Sequence, residues 1–194
     1  MKNKITITLL IGLTLFSCAD LDVSNSNAPD QERALAKPAD VESLIRSTFL
    51  TFWQGTHLSG NSWFIATQGD ANSCSWGNWG MRELSSEPRI AHNNSPAWGY
   101  AGAADDLWYG LYAAISSAKD GLSALSSGIT LNTESDSNAD TRGRIFAKWV
   151  MGISHAMIAL HHDQGFIITE ETDFAQGTPE LSDYNAVMAA AITM

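Results

Sequence analysis

Apolar residues recur at spacings of three and four in four stretches of this chain, separated by segments rich in Gly, Asn, Ser and Asp. Val41, Leu44, Ile45, Thr48, Phe49 and Phe52 form the first stripe and predict an amphipathic helix over 38–54. Pro38 suits a first helical turn, Asp40 and Glu42 suit the positive end of the helix dipole, and Gly55 is expected to end the element. Leu107, Trp108, Leu111, Tyr112, Ile115, Ala118, Leu122 and Leu125 predict a second helix over 104–125, with Asp105 and Asp106 near its start. A third, about 140–163, carries Ile145, Phe146, Trp149, Ile153, Ala156, Met157 and Leu160, and Gly152 and Ala156 leave room for a close partner helix. Leu181, Tyr184, Val187, Met188, Ala191 and Ile192 are expected to begin a fourth. Trp53, Trp108 and Trp149 lie on these stripes and are expected in the core. The predicted fold class is all-α.

The segments between are of different kinds. Residues 126–139 read as a solvent loop and 164–180 as a connector. From His57 to Gly102 the helical period disappears, Gly, Asn, Ser and Trp dominate, and Pro88 and Pro96 interrupt it. A loop of that length in a compact domain is usually functional or disordered, and its tryptophans argue against simple disorder. Residues 19–36 are polar and turn-rich, with Asn25, Asn27 and Pro29.

The N-terminus has a separate pattern. Lys2 and Lys4 precede an uncharged run from Ile5 to Ser17, the charge and length of a secretory signal and too short to cross a bilayer comfortably. The run closes on Leu15-Phe16-Ser17-Cys18, which resembles a bacterial lipobox, with Phe16 bulkier than usual at its position. The alternatives are an ordinary signal peptide with an incidental cysteine, or a stub anchor. On the lipobox reading 1–17 is removed, Cys18 carries the lipid, 18–37 is a tether, and 38–194 is the helical domain. Multiple acyl chains anchor stably where one is marginal. Asp20 and Asp22 resemble an export signal for surface lipoproteins.

Composition narrows the possibilities. Hydrophobic residues make up 44% of the chain, and no second long apolar run follows Cys18. The net charge of −10 becomes more negative when Lys2 and Lys4 are removed, and an acidic surface repels phosphate backbones, so nucleic acid is not expected as a partner. Cys74 is the one thiol besides Cys18, which excludes an internal disulfide framework in the lipidated chain.

The order of these features carries a resemblance. Leu21 to Ile45 (L-D-V-S-N-S-N-A-P-D-Q-E-R-A-L-A-K-P-A-D-V-E-S-L-I) resembles the opening of SusD-like (RagB/SusD) nutrient-uptake lipoproteins, with Ser26 where proline is common. Trp108-x-x-x-Tyr112-x-x-Ile115-x-x-Ala118 resembles the family's second helix. Arg144 to Gly152 and Ala159 to Asp173 resemble its third helix and following loop. Trp149 with Gly152 fits a tetratricopeptide consensus only loosely. The resemblance implies a lipid-anchored protein of the outer membrane, exposed at the cell surface. Such a protein binds an oligosaccharide or other nutrient and hands it to a SusC-like TonB-dependent receptor, without enzymatic chemistry. It also implies tetratricopeptide-like antiparallel helix pairs. Complete members are longer, so the chain reads as an N-terminal portion, cut inside its fourth helix and dependent on missing neighbours to cover its apolar faces.

The residues themselves also favour binding. Trp53, Trp63, Trp76, Trp79, Trp98 and Trp108 are six of the chain's seven tryptophans, and four of them lie in the long loop. A flat indole stacks on the C–H face of a pyranose while Asn or Asp side chains hold its hydroxyls. Trp63, Asp70, Trp76, Trp79 and Trp98 are therefore the candidate ligand residues; the four tryptophans serve equally as pins holding the loop to the helices, and Asp70 as a turn cap.

No cofactor or metal is implied. Adjacent histidines on a helix, such as His161 and His162, point about 100° apart and chelate one ion poorly. His155 and His162 share a face, but no carboxylate or cysteine completes a known spacing. Glu170 and Glu171 are neighbours in a loop and are badly placed to face each other across a glycosidic bond. The competing reading is a helical-repeat surface scaffold that binds protein rather than glycan.

Overall fold

The computed structural model describes residues 35–57, 65–67, 69, 72–75, 80–88, 93, 95 and 97–194. Helix α1 spans Pro38–His57. The backbone N–H groups of Asp40 and Val41 both donate to the Lys37 carbonyl at 3.1 Å, and Pro38, which has no N–H to satisfy, opens the first turn. Val41, Ile45, Thr48 and Phe52 form its buried face. The Thr48 and Thr56 hydroxyls are buried with them and donate to the carbonyls of Ile45 and Phe52 at 2.7 and 2.8 Å.

Gly55 does not end this helix. It lies inside α1, and a methyl group built on it would sit 2.8 Å from the Cα of Gly110. The glycine is present because two backbones meet there, a tertiary demand that local pattern does not reveal.

A single helical turn, α2 (Met81–Leu84), follows Gly80, whose φ of 68° is the left-handed conformation that glycine tolerates. Helix α3 (Ala101–Ser126) begins and ends slightly outside the expected range and is central to the fold. Leu107, Leu111, Ala114, Ile115, Ala118 and Leu122 along it are fully buried. Gly110 faces Gly55, and Gly121 faces Ile45, so α1 and α3 are antiparallel. Helix α4 (Ala139–His161) returns antiparallel to α3, with Arg144 reaching Ser126 at one end and Trp108 meeting His162 at the other. Consequently α1 and α4 run side by side in the same direction.

The buried face of α4 differs from the sequence expectation. Ala147, Val150, Met151, Ser154, His155 and Ile158 point inward, whereas Ile145, Trp149 and Leu160 are exposed. Gly152, also buried, lets the last helix approach: a methyl built on it would lie 3.0 Å from the Ala191 carbonyl. Trp53 and Trp149, expected in the core, are 45% and 49% exposed. Trp108 does pack against the core.

The segment 164–180 is more ordered than a plain connector. Strand β1 (Gln164–Phe166) pairs antiparallel with β2 (Leu181–Asp183), Phe166 opposite Leu181 and Gln164 opposite Asp183. Leu181 therefore belongs to a strand, and helix α5 starts after it, at Tyr184–Thr193. Asp183 is the cap, its carboxylate accepting from the N–H groups of Asn185 and Ala186 at 2.8 and 3.1 Å. The protein is all-α, and among the described residues this short hairpin is its one sheet. No helix among the described residues is long and apolar enough to cross a membrane.

Candidate functional site

The outward faces of α1 and α4 carry a row of aromatic rings. Phe49 stacks on Trp149 with centroids 5.4 Å apart and an interplanar angle of 22°, and Phe146 lies 5.9 Å from Trp149. On the other side Phe49 is 6.4 Å from Trp53, and Trp53 stacks almost parallel on His57 at 3.9 Å. The row exists because two parallel helices each contribute apolar residues beyond the stripe they bury.

Beside this row is an open cleft of about 830 Å³. Ile45, Leu131, Phe146 and Trp149 supply its apolar lining, and Glu42, Arg46, Asp136 and Arg142 its charged lining. Gly143 lets Leu131 pack close against α4, since a methyl there would come 3.1 Å from Leu131 Cδ1. The charges are paired: Arg46 lies 3.5 Å from Glu42 one turn away on α1, and Arg142 forks onto both oxygens of Asp136, with Nη1 to Oδ1 at 3.0 Å. Hydrogen bonding from Arg142, and then from the Asn138 N–H, holds the Asp136 carboxyl below the usual carboxylate range. Arg142 is raised in turn, chiefly by Asp136 and also by Glu42, so charges from both helices act on one another.

The loop between α3 and α4 shapes the cleft wall. It was expected to lie in solvent, yet Leu131 is buried. Thr133 and Asp136 exchange both backbone hydrogen bonds, at 3.0 and 3.1 Å. The Asp140 carboxylate accepts from the Leu131 N–H and from the Thr130 hydroxyl, and its own N–H donates to Asn132 Oδ1 at 3.0 Å. Asp136 is thus presented to Arg142 by a hydrogen-bonded frame.

The residues expected from sequence to touch ligand are placed unevenly. Trp63, Asp70, Trp76 and Trp79 lie outside the described residues, as does Cys18. Trp98 is half-buried, meets Tyr100 edge-on at 5.6 Å, and lies over Gly80 so closely that a methyl there would come 2.5 Å from its Cζ2. It does not line the α1–α4 cleft. Trp149, Arg142 and Asp136 were not expected at a site. The signal for Trp149 in the sequence is an apolar arc on α4 that is too wide for one buried stripe; nothing comparable marks Arg142 or Asp136.

The remaining titratable groups of interest have structural partners. His155 is fully buried; its Nδ1 bonds the Met151 carbonyl at 2.8 Å and its Nε2 accepts from the Ile168 N–H at 3.1 Å, so neither nitrogen is open to a metal. Burial lowers its pKa, opposed by the Met151 bond. Among the described residues no three His, Cys, Asp or Glu side chains gather as a metal site. Glu170 pairs with Lys148 at 3.4 Å, while Glu171 accepts from the Thr169 hydroxyl at 2.8 Å, a bond that lowers its pKa. The two carboxylates are engaged by different partners and do not form an acid–base pair.

No family model, curated protein or solved structure matches this chain.

Proposed function

We propose that this chain is the N-terminal helical part of a SusD-like surface lipoprotein. It binds a nutrient, an oligosaccharide, and delivers it to a SusC-like TonB-dependent transporter of the outer membrane. The observation that carries this reading is the run from Leu21 to Ile45 directly after Cys18, whose turn and helix start resemble those of the family. The start of α1 at Pro38, where that resemblance puts a helix, agrees with it. The aromatic row on α1 and α4 supports binding by stacking, with no bond chemistry. A protein-binding scaffold is the second reading, favoured by exposed Leu50 and Ile145 beside the same row.

Expression of the full open reading frame in its own host tests the proposal. Mass spectrometry is expected to find residues 1–17 removed and Cys18 carrying a diacylglyceryl group. Affinity purification is expected to bring down a TonB-dependent receptor. An unacylated Cys18 together with no receptor would overturn it.

A further inference from the structure

The cleft between α1 and α4 combines two features whose joint chemistry is narrow. One is the half-exposed Trp149 ring, stacked on the partly buried Phe49 with Phe146 alongside. The other is a set of four charged side chains, Glu42, Arg46, Asp136 and Arg142, that cancel pairwise. Among its described lining residues the cleft therefore has no net charge to attract an anion or a cation, although each pair still offers N–H donors and carboxylate acceptors to a third group. A helix laid into the cleft would cover these pairs with apolar surface and strip their water without replacing it, which is unfavourable. A neutral ligand dense in hydroxyls replaces those hydrogen bonds, and its C–H faces suit an indole. The volume, about 830 Å³, lies within the roughly 300–1,000 Å³ usual for small-ligand clefts.

We infer that the α1–α4 cleft is a binding site for a neutral oligosaccharide, with Trp149 as the stacking platform and the Arg142–Asp136 and Arg46–Glu42 pairs as the hydroxyl partners. Trp98, the described tryptophan of the long loop, is not among its lining residues. The inference takes its ligand class from the nutrient-binding reading above, and its location from the cleft alone. The wall is pre-organised: Asp136 is fixed by its exchange of backbone hydrogen bonds with Thr133, and Leu131 by Asp140, so little ordering is needed on binding.

The test is titration calorimetry of the full chain with neutral hexasaccharides of glucose, xylose, mannose and galactose, and with hexagalacturonate as the charged probe. At least one neutral hexasaccharide is expected to bind and hexagalacturonate to bind more weakly. Trp149→Ala is expected to weaken binding about tenfold, and Arg142→Ala about three- to tenfold. Tyr109→Ala, an exposed aromatic change on α3 outside the cleft lining, is expected to leave it unchanged. Circular dichroism of each variant separates lost binding from lost folding. No binding by any neutral hexasaccharide overturns the inference, as does binding that both cleft variants leave intact, which would put the site elsewhere. A dimer in sedimentation that Trp149→Ala dissolves would also overturn it, since a second copy would then occupy the cleft. Receptor co-purification and Cys18 acylation are read independently, so the cleft assignment and the lipoprotein reading fail separately.

Discussion

Gly55 of α1 and Gly110 of α3 meet backbone to backbone, and a methyl built on Gly110 would clash with the Cα of Gly55. No side chain separates the helices there, so the antiparallel pair crosses at the closest approach that two chains permit. The crossing sets how α1 lies on the central helix, and with it the position of the aromatic row.

Gly110→Ala is therefore expected to destabilise the protein by about 1–3 kcal/mol, because the obstacle is backbone and outweighs the roughly 1 kcal/mol that alanine gains in a helix. Gly102→Ala is the control: nothing lies within 4 Å of its added methyl, and about 0.5 kcal/mol of stabilisation is expected. Urea denaturation of both variants checks the contrast.

Tyr112 closes a hydrogen-bonded ring with the backbone N–H and carbonyl of one residue, Phe166. Its hydroxyl donates to the Phe166 carbonyl at 3.1 Å and accepts from the Phe166 N–H at 2.6 Å, joining α3 to β1. Burial pushes its pKa up to about 12, so it stays neutral throughout the working range. Tyr112→Phe removes both bonds and should cost about 1–3 kcal/mol. Hydrogen exchange at the Phe166 amide should accelerate in the variant; unchanged protection there would refute the ring as a support of the hairpin.

Stability should fall as the medium is acidified below about pH 6.5. The folded pKa values of His155 and His161 are both lowered, in each case chiefly by burial. In that window the unfolded chain binds more protons than the folded one, so stability rises with pH, by up to about 1.4 kcal/mol per pH unit for each histidine. His155→Gln removes one of the two groups and should flatten the slope between pH 5 and 7 while lowering stability at pH 7. An unchanged slope would show that His155 does not contribute.

Asp140 is expected to stabilise the cleft wall more than its loop-edge position suggests. Asp140→Ala leaves the Leu131 N–H without its acceptor and should cost about 1–2 kcal/mol. The variant should also weaken saccharide binding with little change at the aromatic row, measurable as a loss of affinity with near-native tryptophan fluorescence.

Helix existence was legible from spacing because the 3.6-residue period acts locally. The stripe Leu107, Leu111, Ile115, Ala118 and Leu122 is fully buried as expected, and Pro38 does open α1. The signal-like pattern of residues 1–17 and the likeness of Leu21 to Ile45 to a lipoprotein opening also belong to the sequence alone. Which way a wide apolar arc rolls was not legible. Trp53 and Trp149 share the apolarity of core residues, but Val150, Met151, Ile158 and a doubly bonded His155 take the inward positions of α4. The indoles were left on the outer face, beside ion pairs whose partners come from different turns and, in the case of Arg142 and Asp136, from a helix and a folded loop. Local periodicity determines that a helix forms. Only packing against neighbours distant in the chain decides which of its faces is buried and which is left to bind.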